Sequence, residues 1–193
     1  MKKDIILAGV GGQGILSIAA IIGTAAVDLG MYLKQAEVHG MSQRGGDVQS
    51  HLRISDVEIA SDLIAYGKAD MIISIEPMES LRYLPYLMPD GWVVTNTKPF
   101  INIPNYPDLD KLTVEIERLP RHIAINADDI AKELEAPKSA NMVILGAASP
   151  FLGIRFEKIE EAVRKIFGKK GDDVVNVNLK ALLAGKEFAE KSM

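Results

Sequence analysis

The chain contains no cysteine. That excludes a disulfide framework and fits a reducing cytoplasm, and it means the chain supplies no thiolate to an iron–sulfur cluster. A basic surplus is missing as well. Against 26 Asp and Glu stand 22 Lys and Arg, a formal charge of −4, which argues against a nucleic-acid binder with its basic surface. No membrane span is expected, because the most apolar segment, residues 15–29, is short and alanine-rich. The basic start Met1-Lys2-Lys3-Asp4 leads into an apolar run that breaks at Gly9 without a cleavage site. A first strand is expected there, not a signal peptide. With no cysteine and no His/Glu pair at ligand spacing, no metal site is expected.

What is present is an ordinary globular composition, 48% hydrophobic and 25% charged over 193 residues, enough for one domain over residues 1–193 with a real core. Its organising stretch is Asp4 to Ile15. The apolar run Ile5-Ile6-Leu7-Ala8 stops at Gly9, Gly11, Gly12 and Gly14, and an apolar-periodic segment follows. This is the pattern of a buried strand, a tight turn and a helix start. Gly9, Gly11 and Gly14 match the spacing G-x-G-x-x-G, with Gly12 a further bare position. Such a turn can present free N–H groups and a positive helix end to a phosphate. The alternative is a tight turn with no ligand.

The spacing predicts a largely buried helix over residues 13–28, with Gly30 as its stop, and a second strand over 31–36. Residues 37–46, with three glycines and five polar side chains, read as a long functional loop. Val48 to Ile54 alternates, with Gln49, His51 and Arg53 on the polar face of a half-buried strand. Ala69 to Ile75 reads as a strand covered on both faces. Further on come a helix over 78–87 interrupted by Pro85, a turn at Pro89-Asp90-Gly91, a strand over 92–96 and a loop over 99–107. A helix over 108–118, a strand over 122–126, and helices over 128–134, from Ser139 through 145, over 156–167 and over 174–189 complete the chain. Alternating strands and helices imply an α/β fold, a single open and mostly parallel sheet with helices on both faces.

Ligands of such sheets bind beyond the carboxyl ends of the strands. The glycine turn, the 37–46 loop and Glu76 all follow strands, so all three are expected on one edge. Glu37 lies 23 positions past Gly14, near the spacing at which an acidic residue bonds the ribose of a dinucleotide. A stand-alone NAD or flavin module is therefore one reading. Arg44, beside Gly45 and Gly46, could clamp a phosphate or carboxylate, or form a surface ion pair. His39 and His51 read as packed, hydrogen-bonded histidines, Glu76 and Glu79 as the start of a helix, and Gly171-Asp172-Asp173 as a helix cap. No nucleophile, base and oxyanion donor assemble, so no catalytic residue is assigned.

Three stretches carry a family resemblance: Gly9-Val10-Gly11-Gly12-Gln13-Gly14, Glu37-Val38-His39-Gly40-Met41-Ser42-Gln43-Arg44-Gly45-Gly46, and Glu76-Pro77-Met78-Glu79-Ser80-Leu81-Arg82. Tyr106-Pro107 and Asn141-Met142-Val143-Ile144-Leu145-Gly146 agree with it. Over nearly its whole length the chain resembles the gamma-type subunits of 2-oxoacid:ferredoxin oxidoreductases, and within them the indolepyruvate-type branch. The resemblance implies oxidative decarboxylation of arylpyruvates to arylacetyl-CoA, with electrons passed to ferredoxin, as in anaerobic metabolism. It implies a large alpha subunit that carries thiamine diphosphate and [4Fe-4S] clusters, and a small chain associated with coenzyme A. Carried over, Gly9, Gly11, Gly12, Gln13 and Gly14 belong to a CoA-phosphate turn. Gln43, Arg44 and Gly45 belong to the CoA pocket or the subunit interface.

Overall fold

The computed structural model describes residues 1–39, 46–101 and 103–193, except for the side chain of His39. The apolar run opens as β1 (Lys2–Val10), buried from Asp4 onward. The glycine turn then feeds α1 (Ile15–Asp28). β2 (Tyr32–His39) and β3 (Asp47–Ser55) follow as an antiparallel pair. The remaining strands are β4 (Ala69–Ser74), β5 (Leu87–Asn96) and β6 (His122–Ile125). They make one sheet in the order β2-β3-β1-β4-β5-β6. β1, β4, β5 and β6 run parallel, and β3 runs against both its neighbours. The expected α/β sheet with mostly parallel strands is therefore present, with one antiparallel strand set inside it.

Helices lie on both faces. On one face α1 packs with α4 (Ala127–Glu133), α5 (Ala140–Ala148), α6 (Phe156–Phe167) and α7 (Asp172–Ser192) over the larger core, which includes Ile5, Leu7, Ile73 and Val94. On the other, Ile6, Ala8, Ile72 and Val93 form a smaller core with Ile64 and Tyr83. That second face carries α2 (Pro77–Arg82) and α3 (Leu109–Glu117). α5 is buried along nearly its whole length. Its backbone meets that of α7 directly, since a Cβ added at Gly146 would stand 1.9 Å from the Leu182 carbonyl oxygen, and one at Gly185 equally close to that of Val143. Two glycines facing each other across a helix crossing allow this approach.

Several boundaries differ from the sequence expectation for physical reasons. Glu37, Val38 and His39 are strand residues, not loop, because they pair with Ser50, Gln49 and Val48. The helix expected over 78–87 ends at Arg82, and a separate 3-10 turn covers Leu84–Tyr86. Pro85 has no N–H with which to continue the α-helical ladder. Pro89-Asp90-Gly91 falls inside β5, where the register jumps from Ala69 opposite Leu87 to Met71 opposite Trp92, so the turn residues bulge out of the ladder. The polar face of β3 is not open to solvent at His51, which is buried under the segment that carries Ile64. Among the described residues, no helix is long and apolar enough to cross a membrane.

Candidate functional site

β1 and β4 are parallel, and β2 shares their direction because β3 opposes both β1 and β2. Their carboxyl ends therefore lie on one edge, as the sequence reading requires. The glycine turn stands beside the end of the β2–β3 connection, with Gly11 N–H donating to the Gly46 carbonyl at 2.9 Å. Gln43, Arg44 and Gly45 lie outside the described residues.

The turn assigns its residues different duties. Gly9 serves packing: a Cβ there would stand 2.8 Å from Ile15 Cδ1 and 2.9 Å from Gln13 Oε1. Gln13 closes the turn on itself, its N–H donating to the Val10 carbonyl at 3.1 Å while its Oε1 accepts from Val10 N–H at 2.7 Å. Gly14 holds φ +85°, and a Cβ there would stand 2.5 Å from Asn141 Nδ2. Asn141 in turn donates to the Gly14 carbonyl at 3.3 Å. Gly12 also lies in the left-handed region, at φ +100°, but nothing stands within 4 Å of where its Cβ would be. Its bare side faces open space.

α1 begins without a capping side chain and with no acidic residue in its first turn. Among the described residues, nothing accepts from the N–H groups of Gly12, Gly14, Ile15 or Leu16. These donors, at the positive end of a 14-residue helix, can receive an anion. They adjoin a cleft of about 650 Å³ whose walls include Ser17, Lys138, Ser139, Asn141, Lys170 and Asn178, a volume suited to an extended small molecule. A second cleft of similar size lies at the opposite edge of the sheet, by Asp4 and Arg53. There Arg53 Nε donates to Asp4 Oδ1 at 2.8 Å, and Lys2 pairs with the same carboxylate. The first cleft joins donors unpartnered among the described residues to Lys138 and to Lys170, whose ammonium lies 5.2 Å from the Phe167 ring centroid, and its lining also includes Glu135 and Asp173.

Beyond β4 the same edge carries a buried carboxylate pair. Glu76 caps α2, its Oε2 accepting from Glu79 N–H at 2.9 Å. Its Oε1 accepts from Phe100 N–H at 3.3 Å and from the Tyr106 hydroxyl. Burial beside this carboxylate raises the Tyr106 phenol well above its ordinary range. Arg82 holds Glu79 through Nε at 2.7 Å. Burial nevertheless raises the Glu79 carboxyl, with Arg82 opposing. The expected helix-start role thus holds for both residues, and Glu76 additionally ties down the 99–107 segment. His51 is the packed histidine expected: its Nδ1 accepts from Ile64 N–H at 3.0 Å, and burial lowers its pKa, reinforced by the nearby Arg53 charge.

The dinucleotide reading meets a geometric obstacle. Glu37 pairs with Ser50, which pairs with Leu7. It therefore sits two strands, about 10 Å, from β1 and short of its carboxyl end, because β3 occupies the place where a dinucleotide fold puts its second parallel strand. Sequence reasoning missed the far wall of the cleft. Lys138, Asn141, Lys170 and Asn178 come from separate segments that the packing of α5 against both α1 and α7 brings together.

Residues 4–188 match the family described as pyruvate ferredoxin/flavodoxin oxidoreductase. The indolepyruvate oxidoreductase subunit IorB of Archaeoglobus fulgidus is 39% identical over 96% of this chain and 94% of its own length. The fold resembles a 2-oxoglutarate:ferredoxin oxidoreductase from Magnetococcus marinus solved with 2-oxoglutarate, coenzyme A and succinyl-CoA (TM-score 0.78, 25% identity, 98% of this chain and 31% of that one). It also resembles the gamma subunit of a keto/oxoacid ferredoxin oxidoreductase from Geobacter sulfurreducens (TM-score 0.73, 25% identity, 98% and 99% of the two chains). A match along almost the entire sequence, joined to the same sheet and helices, settles the kinship: the chain belongs to the pyruvate ferredoxin/flavodoxin oxidoreductase family.

Proposed function

We propose that this chain is the small subunit of a 2-oxoacid:ferredoxin oxidoreductase of the indolepyruvate type, and that its glycine turn and adjoining cleft hold coenzyme A. Full-length similarity to an indolepyruvate oxidoreductase subunit supports the substrate class. The CoA-bound relative supports the ligand. The observation that carries the site is the start of α1, where N–H groups of the turn lie unpartnered among the described residues beside a cleft walled by Lys138 and Lys170. Backbone donors suit a diphosphate, and the two ammonium groups suit a further phosphate.

In the overall reaction the bond between the carboxylate and the carbonyl carbon of the arylpyruvate breaks and carbon dioxide leaves. The acyl carbon forms a thioester with CoA, the thiol proton is released, and the electron pair passes to ferredoxin. This chain's part is to bind and orient CoA; a large alpha subunit with thiamine diphosphate and [4Fe-4S] clusters performs the carbon and electron chemistry in the cytoplasm. The absence of cysteine is consistent with that division. Gln43, Arg44 and Gly45 complete the CoA pocket or border the partner.

Crosslinking with a photoreactive CoA analogue tests the site. Label is expected in peptides containing residues 11–17 or 136–141, and Arg44→Ala should raise the KM for CoA. Label confined to the large subunit, with CoA kinetics of Arg44→Ala unchanged, would reduce this chain to a scaffold.

A further inference from the structure

The stretch from Glu76 to Arg82 lies outside the cleft, yet the helix it forms ends in a contact that leads back to the glycine turn. Tyr83 follows α2 as its C-cap. It is buried, at 7% exposure, in the smaller core with Ile6, Ala8, Ile72 and Val93, on the face of the sheet away from the cleft. Its hydroxyl donates to Asp47 Oδ2 at 3.3 Å. Asp47 opens β3 opposite Val10, the last residue of β1. The bond from Gly11 N–H to the Gly46 carbonyl continues that register one step further, into the turn. A packed helix end is thus tied, through two adjacent residues, to the backbone of the turn. Burial, with the Asp47 charge behind it, raises the Tyr83 phenol well above its ordinary range, so the hydroxyl keeps its proton and is the donor. The same charge acts on Glu79 and Arg82, as a carboxylate turned toward α2 must.

We infer that Tyr83 is a positioning residue for CoA binding, holding the first half of the glycine turn in place through Asp47 and Gly46. The inference rests on the CoA reading above. The turn needs such a support. Gly12 and Gly14 stand in the left-handed region, and a glycine-rich backbone has many other conformations open to it. A phosphate gains full benefit from the free N–H groups only if they converge before it arrives. Asn141 holds the Gly14 end from the cleft side. Gly46 and Asp47 hold the Gly11 end, and Tyr83 braces them from the opposite face. Gly12 lies between the two supports. The bond also governs a charge. Val10, opposite Asp47, is two residues before Gly12, and a carboxylate turned toward the turn would repel a phosphate there. Held by Tyr83, it stays on the face away from the cleft. Tyr83→Phe would keep the same ring in the core, so packing does not account for the hydroxyl.

The test uses the complex of this chain with its large subunit, purified anaerobically, and reads KM for CoA, kcat and melting temperature together. Tyr83→Phe keeps the ring and removes the donor. It should raise the KM for CoA about threefold to tenfold at unchanged kcat, as a misplaced binding group does. Asp47→Ala removes the acceptor and should act as strongly. The double variant should be no worse than either, because both break one connection. Asp47→Asn keeps an oxygen for the hydroxyl and should stay within about twofold of the parent. A purely structural bond would lower the melting temperature of Tyr83→Phe and leave its KM for CoA unmoved, which would overturn the inference. So would effects that multiply in the double variant, or an Asp47→Asn as impaired as Asp47→Ala. A Tyr83→Phe chain that fails to fold would overturn it too, by assigning the hydroxyl to stability. Gly12→Ala, measured alongside, separates the two readings. A KM raised there but not in Tyr83→Phe refutes the positioning role alone, whereas CoA kinetics unchanged in both refute the CoA site on which it rests.

Discussion

Replacing Gly12 with alanine separates what the glycine turn does for folding from what it does for a ligand. At φ +100° a Cβ is strained, at a cost of about 1–2 kcal/mol. For a chain of this length that lowers the melting temperature by roughly 2–8 °C. Gly30, at the far end of α1, provides the matched control. It has φ +73° and likewise nothing within 4 Å of its missing Cβ, so Gly30→Ala should carry a similar strain. Only Gly12 lines the cleft. If its N–H donates to a CoA phosphate and its open side admits that group, the added methyl removes one charge-assisted hydrogen bond, worth about 1.5–3 kcal/mol. The KM for CoA should then rise roughly 10- to 100-fold at nearly constant kcat. Melting curves of both variants, with CoA titrations of the assembled enzyme, provide the comparison. Equal KM values for Gly12→Ala and Gly30→Ala would refute the CoA assignment, and a small melting shift in Gly12→Ala alone would refute the strain argument.

Gly146→Ala and Gly185→Ala should each destabilise the chain by about 3 kcal/mol or more, because a Cβ at 1.9 Å from a carbonyl oxygen of the facing helix cannot rotate away. The gain of about 1 kcal/mol in helix propensity does not offset this, whereas Gly168→Ala, with nothing within 4 Å, should leave the melting temperature within a few degrees in a thermal scan. The Glu79 carboxyl has a folded pKa raised above its ordinary 4.5, so between that value and the raised one the folded state holds more protons than the unfolded state, and stability falls as pH rises through the window. The melting-temperature difference between the parent and Glu79→Gln should therefore shift in the parent's favour as pH falls from about 7 to about 5; the opposite trend would mean that Arg82 outweighs burial. His51, lowered from 6.5, acts with the reverse sign in both proteins and cancels in that difference.

How much was legible in the sequence follows from which interactions are local. The β1–turn–α1 unit was readable because its apolar run, its glycines and the helix that follows are contiguous, and Glu76 as a helix start because a cap acts within one turn. The antiparallel placement of β3 was not readable. Alternation along Val48–Ile54 reports which residues face the core, whereas strand order depends on which strands meet. That insertion separates Glu37 from the turn, which spacing along the chain could not reveal. The cleft wall was missed for a related reason: Ser139 and Asn141 open an otherwise apolar α5, and Asn178 is a nearly buried polar residue on α7. Each alone reads as a helix-end or core polar group, and only the helix packing joins them.

The most direct measurement is reduction of ferredoxin or a dye by the complex of this chain with its large subunit, purified anaerobically and supplied with CoA and either indolepyruvate or pyruvate. Reduction that requires both CoA and indolepyruvate, is slower with pyruvate, and shows the raised KM for CoA in Gly12→Ala is the expected result. Reduction that proceeds equally without CoA, or a complex inactive on every 2-oxoacid offered, would contradict it.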